Sequence, residues 1–193
     1  MTPGTDESTA PVVIAPMRRR HLRGVLAIEQ CTNHRPWSLG LFMGELRMPT
    51  SRSYVVALDG HRVVGFAGLM ITADEGHVTN IAVHPERRRE KIADRLMLVT
   101  MREAVRRNLH AVTLEVRMSN VAAQELYRRF GFAPGGIRRN YYADVNEDGL
   151  IMWAHGIDSA EHRDRLAGIE TSLGTPLVTD GLSARHTSVG GGV

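Results

Sequence analysis

The chain has 193 residues, of which 42% are hydrophobic and 23% charged, and its formal net charge is +3. That length gives room for one domain with a sizeable core plus tails, and the balance is ordinary for a soluble globular protein. It excludes a helical membrane span, since no apolar run is long enough, and a disulfide framework, since Cys31 is the only cysteine.

Residues 1–11 read as a disordered lead-in of small, polar and proline residues, without the pattern of a secretory signal. Val12 to Ala15 is a short apolar run that predicts an edge strand. Leu22, Val25, Leu26 and Ile28 then share a helical face. HRPWSLGLFMGELRMP predicts a loop and a second short helix, with Ser38 as its N-cap. Ser53–Leu58 and Val63–Ile71 read as strands joined at Asp59-Gly60, and His77–Val83 as the next strand. From Arg89 to Arg107 the pattern turns helical, with Ala93, Leu96, Met97, Met101, Ala104 and Val105 as its apolar stripe. Ala111–Val116 returns to strand character, placing Thr113, Glu115 and Arg117 on one face and Leu114 and Val116 on the other. A helix over Asn120–Phe130 ends at Gly131, and a closing hairpin follows with its turn at Asn146–Gly149. Residues 12–157 thus read as the domain. Residues 158–193 read as a flexible tail, apart from a short helix near Ser159–Leu173.

The chemistry concentrates between Thr79 and Phe132. TNIAVHPERRREKIADRLM sets an arginine-rich turn between a strand and a long helix. A diphosphate needs inward backbone amides and positive charge, and a helix N-terminus supplies both. TLEVRMSN then places the carboxylate of Glu115 on a strand. VAAQELYRRFGF places Tyr127 two helical turns after Asn120, on the same face. Singly, each has an ordinary explanation: a solvated helix start, a Glu115–Arg117 pair, a capping Asn120 and a core Tyr127. The nine histidines show no metal-ligand spacing, so no metal is expected. The arginine clusters lack a recognised nucleic-acid module or an aromatic platform, so no direct nucleic-acid partner is expected.

In this order the segments resemble the GNAT superfamily of acetyltransferases, and LEVRMSNVAAQELYRRFGF with IRRNYY is similar to its RimI-type ribosomal-protein alanine N-acetyltransferases. The resemblance implies an α/β GNAT fold, a mixed and mainly antiparallel sheet flanked by helices, with a splayed central strand pair holding acyl-CoA. It implies direct transfer from acetyl-CoA to the α-amine of a protein or peptide N-terminus, a ribosomal protein among the candidates, while the single cysteine and the lack of a long apolar run predict a cytoplasmic chain with no membrane partner. Ile81, Ala82 and Val83 would lie along the pantetheine, with an amide near Val83 facing the thioester oxygen. Arg88, Arg89, Glu90, Lys91, Ile92 and Ala93 would hold the diphosphate, and Asn120 would bind the pantetheine arm. Glu115 matches the general base, and Tyr127 the general acid that protonates the departing thiolate. Glu29, Trp37, Tyr141 and Tyr142 would contact the acceptor. Two other uses of the fold stay open here: acetylation of a small-molecule amine, and a non-catalytic CoA-binding module.

The turn departs from the family pattern at Lys91, the only lysine of the chain, which stands where the family has glycine. A Cβ there resists a backbone conformation that glycine allows, at a cost of about 1–3 kcal/mol. The sequence leaves open whether the ammonium contacts a phosphate instead. Glu90 also brings a negative charge beside an intended anion.

Overall fold

The computed structural model describes residues 11–182, so most of the expected lead-in and the expected tail beyond residue 182 lie outside the described residues. In chain order the elements are β1 (Val13–Pro16), α1 (Leu22–Thr32), α2 (Leu39–Glu45), β2 (Arg52–Asp59), β3 (Arg62–Thr72) and β4 (Glu75–Val83). They continue with α3 (Ile92–Arg106), β5 (Ala111–Arg117), α4 (Val121–Arg129), β6 (Ala133–Tyr142), β7 (Glu147–His155), α5 (Ala160–Ser172) and β8 (Val178–Thr179). All eight strands form one sheet in the order β6-β7-β5-β4-β3-β2-β1-β8. Pairings are antiparallel except β4 with β5 and β1 with β8. This is the mixed, mainly antiparallel sheet that the sequence predicts.

The centre of the sheet is forked. β4 pairs with β5 only where Glu75–His77 lie beside Ala111–Thr113, after which the two strands part. Just past the fork, β4 carries an extra residue: Gly68 faces Asn80 while Leu69 faces Val78, so Thr79 bulges. Gly68 is required at that place. A Cβ on it would overlap Cε1 of Tyr54 and lie 2.7 Å from both Tyr54 Cζ and Thr79 Oγ1.

Helices cover both faces. On one, Val25 and Ile28 of α1 and Phe42 of α2 join Tyr54, Val56 and Phe66 in a single cluster. Phe42 stands edge-on to Phe66 and Tyr54, with centroids 5.7 Å and 6.3 Å away, the geometry that aromatic quadrupoles prefer. On the other face lies α3. Its expected stripe is buried at Leu96, Met97, Met101 and Ala104, but Leu98, Val99 and Thr100 are buried as well. The reason is α5, which together with the segment from Leu173 to Pro176 packs over the back of α3.

As far as residue 182, the segment expected to be a flexible tail is packed against the domain. The short helix exists, but it is docked rather than loose: His162, Leu166 and Leu173 are buried at helical spacing, with Ile169 packed beside them. β8 then pairs alongside β1, so β1 is not the edge strand expected from its sequence. The closing hairpin also turns earlier than expected, between Tyr142 and Glu147, with Asn146 at φ +52. At the opposite edge, β6 is exposed along most of its length and slips register twice, at Pro134/Gly136 and Arg138/Tyr142.

Candidate active site

The fork brings together Glu115 of β5 and His77 of β4. His77 is in register with Thr113, so its side chain rises on the face that also carries Glu115. The His77 Nε2 and Glu115 Oε2 atoms are 2.6 Å apart, and Arg138 Nη1 of β6 donates to Oε1 at 2.9 Å. Only 12% of the Glu115 side chain is exposed. The bond from His77, reinforced by the charge of Arg138, holds the Glu115 carboxyl below the usual carboxylate range despite its burial. Met70, Thr72, Glu75, Gly76, His77, Thr113, Glu115 and Arg138 line a pocket of about 300 Å³ around this pair.

Arg117 is not the partner of Glu115 that its position on the strand suggests. Its guanidinium pairs with Asp144 and Glu147 and lies 4.3 Å from the centroid of the Tyr142 ring. Tyr142 in turn donates its hydroxyl to the backbone carbonyl of Glu115 at 3.3 Å, and burial pushes its phenol up to about 12. Tyr141 stands more exposed beside it, with Arg138 4.8 Å from its ring. Both expected acceptor tyrosines therefore border the Glu115 pair. Sequence reasoning misses His77 because a strand histidine with no nearby cysteine or histidine carries no spacing signal. Only its period-2 alternation with Glu75 marks the face it shares with Glu115 across the fork.

Tyr127 is buried in α4, 5.9 Å from the Phe132 ring, and burial raises its phenol well above the ordinary value. It is therefore protonated near neutral pH. Asn120 is the N-cap of α4 and its side-chain oxygen accepts from the Ala123 amide at 3.1 Å, with a second lone pair and the amide nitrogen left for a ligand. Glu29 corrects another expectation. It is fully buried, and Oε1 accepts from Asn33 Nδ2 at 2.7 Å and from the Trp37 amide at 3.1 Å. Such a carboxylate fixes the α1–α2 loop rather than meeting an acceptor. Trp37 itself packs half-buried against Phe42, with ring centroids 5.3 Å apart.

Where β5 leaves, β4 keeps an open edge. The His84 amide donates back to Val64 at 2.9 Å, so by strand alternation the amides of Val83 and Ile81 point the other way, into the fork. Ala82 lies between them and packs toward the α1–α2 cluster. The chain then runs through Arg88 and Arg89, which are exposed and form no ion pair among the described residues, to the start of α3. No side chain caps that helix, and the first intrahelical bond comes from the Arg95 amide, so the amides of Ile92, Ala93 and Asp94 remain for a ligand. Glu90 is neutralised by Arg87, whose Nε donates to it at 2.8 Å while Nη1 holds Asp59 at 2.6 Å. Lys91 takes the left-handed conformation, with φ +56 and ψ +22, as the family's glycine would. Its ammonium does not point along the turn but donates to the Ser172 carbonyl at 2.6 Å.

An open strand edge, a run of unpaired amides and two unengaged arginines form a donor set that fits a pantetheine arm ending in a diphosphate. Residues 22–132 match the acetyltransferase (GNAT) family. A Bacillus subtilis chain is 39% identical over 138 residues, spanning 71% of this chain and 91% of that one. The [ribosomal protein bS18]-alanine N-acetyltransferase of Escherichia coli K12 is 33% identical over 144 residues, spanning 72% and 94%. Among solved structures, the ribosomal-protein-S18-alanine N-acetyltransferase of Escherichia coli superposes with a TM-score of 0.69 at 30% identity, over 76% of this chain and 94% of that one.

Proposed function

We propose, from the premise that the chain belongs to the GNAT acetyltransferase family, that it acetylates the α-amine of a protein N-terminus beginning with alanine, a ribosomal protein being the natural candidate. The observation that carries this reading is the Glu115–His77 pair at the fork, which lines a pocket together with Arg138, while Tyr142 bonds the Glu115 carbonyl beside it. We place the activity in the cytoplasm, in keeping with a chain that has one cysteine, and no described helix is long and apolar enough to cross a membrane.

Acetyl-CoA, when bound, supplies an activated thioester. The residues of this chain do the rest. Ile81 and Val83 offer amides along the fork, and the Val83 amide would serve as a donor to an acyl oxygen gathering negative charge. The amides of Ile92, Ala93 and Asp94, with Arg88 and Arg89, hold the diphosphate. An α-amine has an ordinary pKa of about 7.7–8.0, and an imidazole titrates far closer to it than a carboxylate does. Glu115, ionised and bonded to His77, therefore orients the ring and balances its charge while the pair accepts the amine proton. Tyr127, kept protonated by burial, returns a proton to the departing thiolate. Tyr141, Tyr142 and Trp37 frame the entering peptide.

The test is acetyl transfer to an alanine-starting peptide, followed by mass spectrometry, in the native chain and in Glu115→Gln and Tyr127→Phe. Transfer to the peptide α-amine that drops sharply in both variants supports the reading. Native-level transfer in Glu115→Gln, or transfer only to small amines, refutes it.

A further inference from the structure

The C-terminal segment α5–β8 lies outside the region that matches the family, yet one stripe of α3 grips it. At the start of the stripe, Lys91 Nζ donates to the Ser172 carbonyl at 2.6 Å, with the Leu173 carbonyl at 3.5 Å. One turn on, the buried Arg95 donates to the Pro176 carbonyl at 2.8 Å and to the carbonyl of Thr175 at 3.1 Å, and its guanidinium also meets the Thr175 hydroxyl. Two turns further, Arg102 Nη1 donates to Glu170 at 3.2 Å. Beyond Gly174, at φ +79, the chain reaches β8 and pairs with β1.

The consequence is electrostatic. The last carbonyls of α5 form the negative end of a 13-residue helix, and they stand beside the turn assigned to a diphosphate. Left bare, they would oppose that anion. The only lysine of the chain sits on them, in a backbone conformation that glycine would hold with less strain. We propose that Lys91 is a positioning residue of the cofactor site, which caps the C-terminus of α5 and thereby makes the α5–β8 segment part of that site. The ammonium is a helix cap and not a phosphate ligand. The inference rests on the acetyl-CoA reading of the turn.

Three variants separate the roles. Lys91→Gly and Lys91→Asn both tolerate the left-handed conformation without an ammonium, whereas Lys91→Arg keeps a cation. With acetyl-CoA titrated calorimetrically, the first two should bind about fivefold or more weakly and Lys91→Arg should stay near native, a change carried by KM for acetyl-CoA more than by kcat. Without cofactor, hydrogen exchange over residues 160–182 should quicken in Lys91→Gly. Because one lysine gives one side-chain resonance, labelled lysine should show a hydrogen-bonded ammonium that acetyl-CoA leaves in place. Equal or tighter binding by Lys91→Gly overturns the proposal, as does an unprotected lysine resonance in the free protein. A native chain that binds no acetyl-CoA at all, yet shows the protected lysine, overturns the cofactor reading itself and with it this role for Lys91.

Discussion

Substituting Gly68→Ala tests whether the β4 bulge depends on the aromatic cluster beneath it. The new Cβ would overlap the Tyr54 ring and lie 2.7 Å from Thr79 Oγ1. The ring has nowhere to go: it is buried, edge-on to Phe42, and its hydroxyl bonds Glu45 at 2.9 Å and Thr79 at 3.1 Å. Overpacking of this kind costs about 1–3 kcal/mol, and a hydroxyl pulled off a carboxylate forfeits about 1.5–3 more. Allowing for partial relaxation, we expect a loss of about 3 kcal/mol, a large share of the roughly 5–15 kcal/mol typical of a domain. In urea denaturation the midpoint should fall by roughly 1 M or more. Tyr54→Leu removes the obstructing ring atoms, so the double variant should be more stable than the two single losses added together, by at least about 1 kcal/mol. If Gly68→Ala stays within about 1 kcal/mol of native, or if Tyr54→Leu and Gly68→Ala simply add, the steric argument is wrong.

Other expectations address the site. Glu115→Gln should lower kcat/KM by about 10²–10⁴-fold in peptide acetylation, and a loss under about tenfold would remove it from the proton path. Glu115 is held below the ordinary carboxylate range by its bond from His77, so it is charged near neutral pH, and His77→Gln should lower kcat/KM by about tenfold or more. Native-level kcat/KM in His77→Gln would exclude the imidazole from the proton path. Burial raises Glu29, so the folded state takes up its proton at higher pH than the unfolded chain, and the Glu29 contribution to stability grows as pH falls through that window toward about 4.5. Glu29→Gln keeps an acceptor for Asn33 and Trp37 and removes a buried charge, so it should be about 1 kcal/mol more stable than native at about pH 7, with the gap closing toward about pH 5. A destabilised Glu29→Gln at neutral pH would mean that the charge is needed.

Local pattern carries the fold well wherever period and punctuation agree. Asp59-Gly60 marks its hairpin, and the alternation of Thr113, Glu115 and Arg117 against Leu114 and Val116 matches the observed burial of β5. What stays hidden depends on contacts distant in sequence. The His77–Glu115 bond spans 38 positions, and the Lys91–Ser172 bond spans 81. Neither leaves a spacing that can be counted along the chain. Glu29 misleads for a related reason: a carboxylate that serves its own loop has the same letter as one that serves a ligand. The docking of α5 is foreshadowed by Leu166, Ile169 and Leu173, but the pattern of α3 shows only a single stripe to receive them. A helix buried nearly all round needs a second cover.

The two ends of the sheet have consequences for how the molecule behaves in company. One margin is finished by two residues of β8, too short to template another strand, and the chain supplies that cover from its own far end. The other margin, β6, is long and exposed but carries Pro134, paired glycines, Arg138 and Arg139, and two register slips. Proline withholds a donor, bulges break the ladder, and arginines repel a like neighbour. A sheet so bordered resists growing sideways into fibrils or edge-joined pairs.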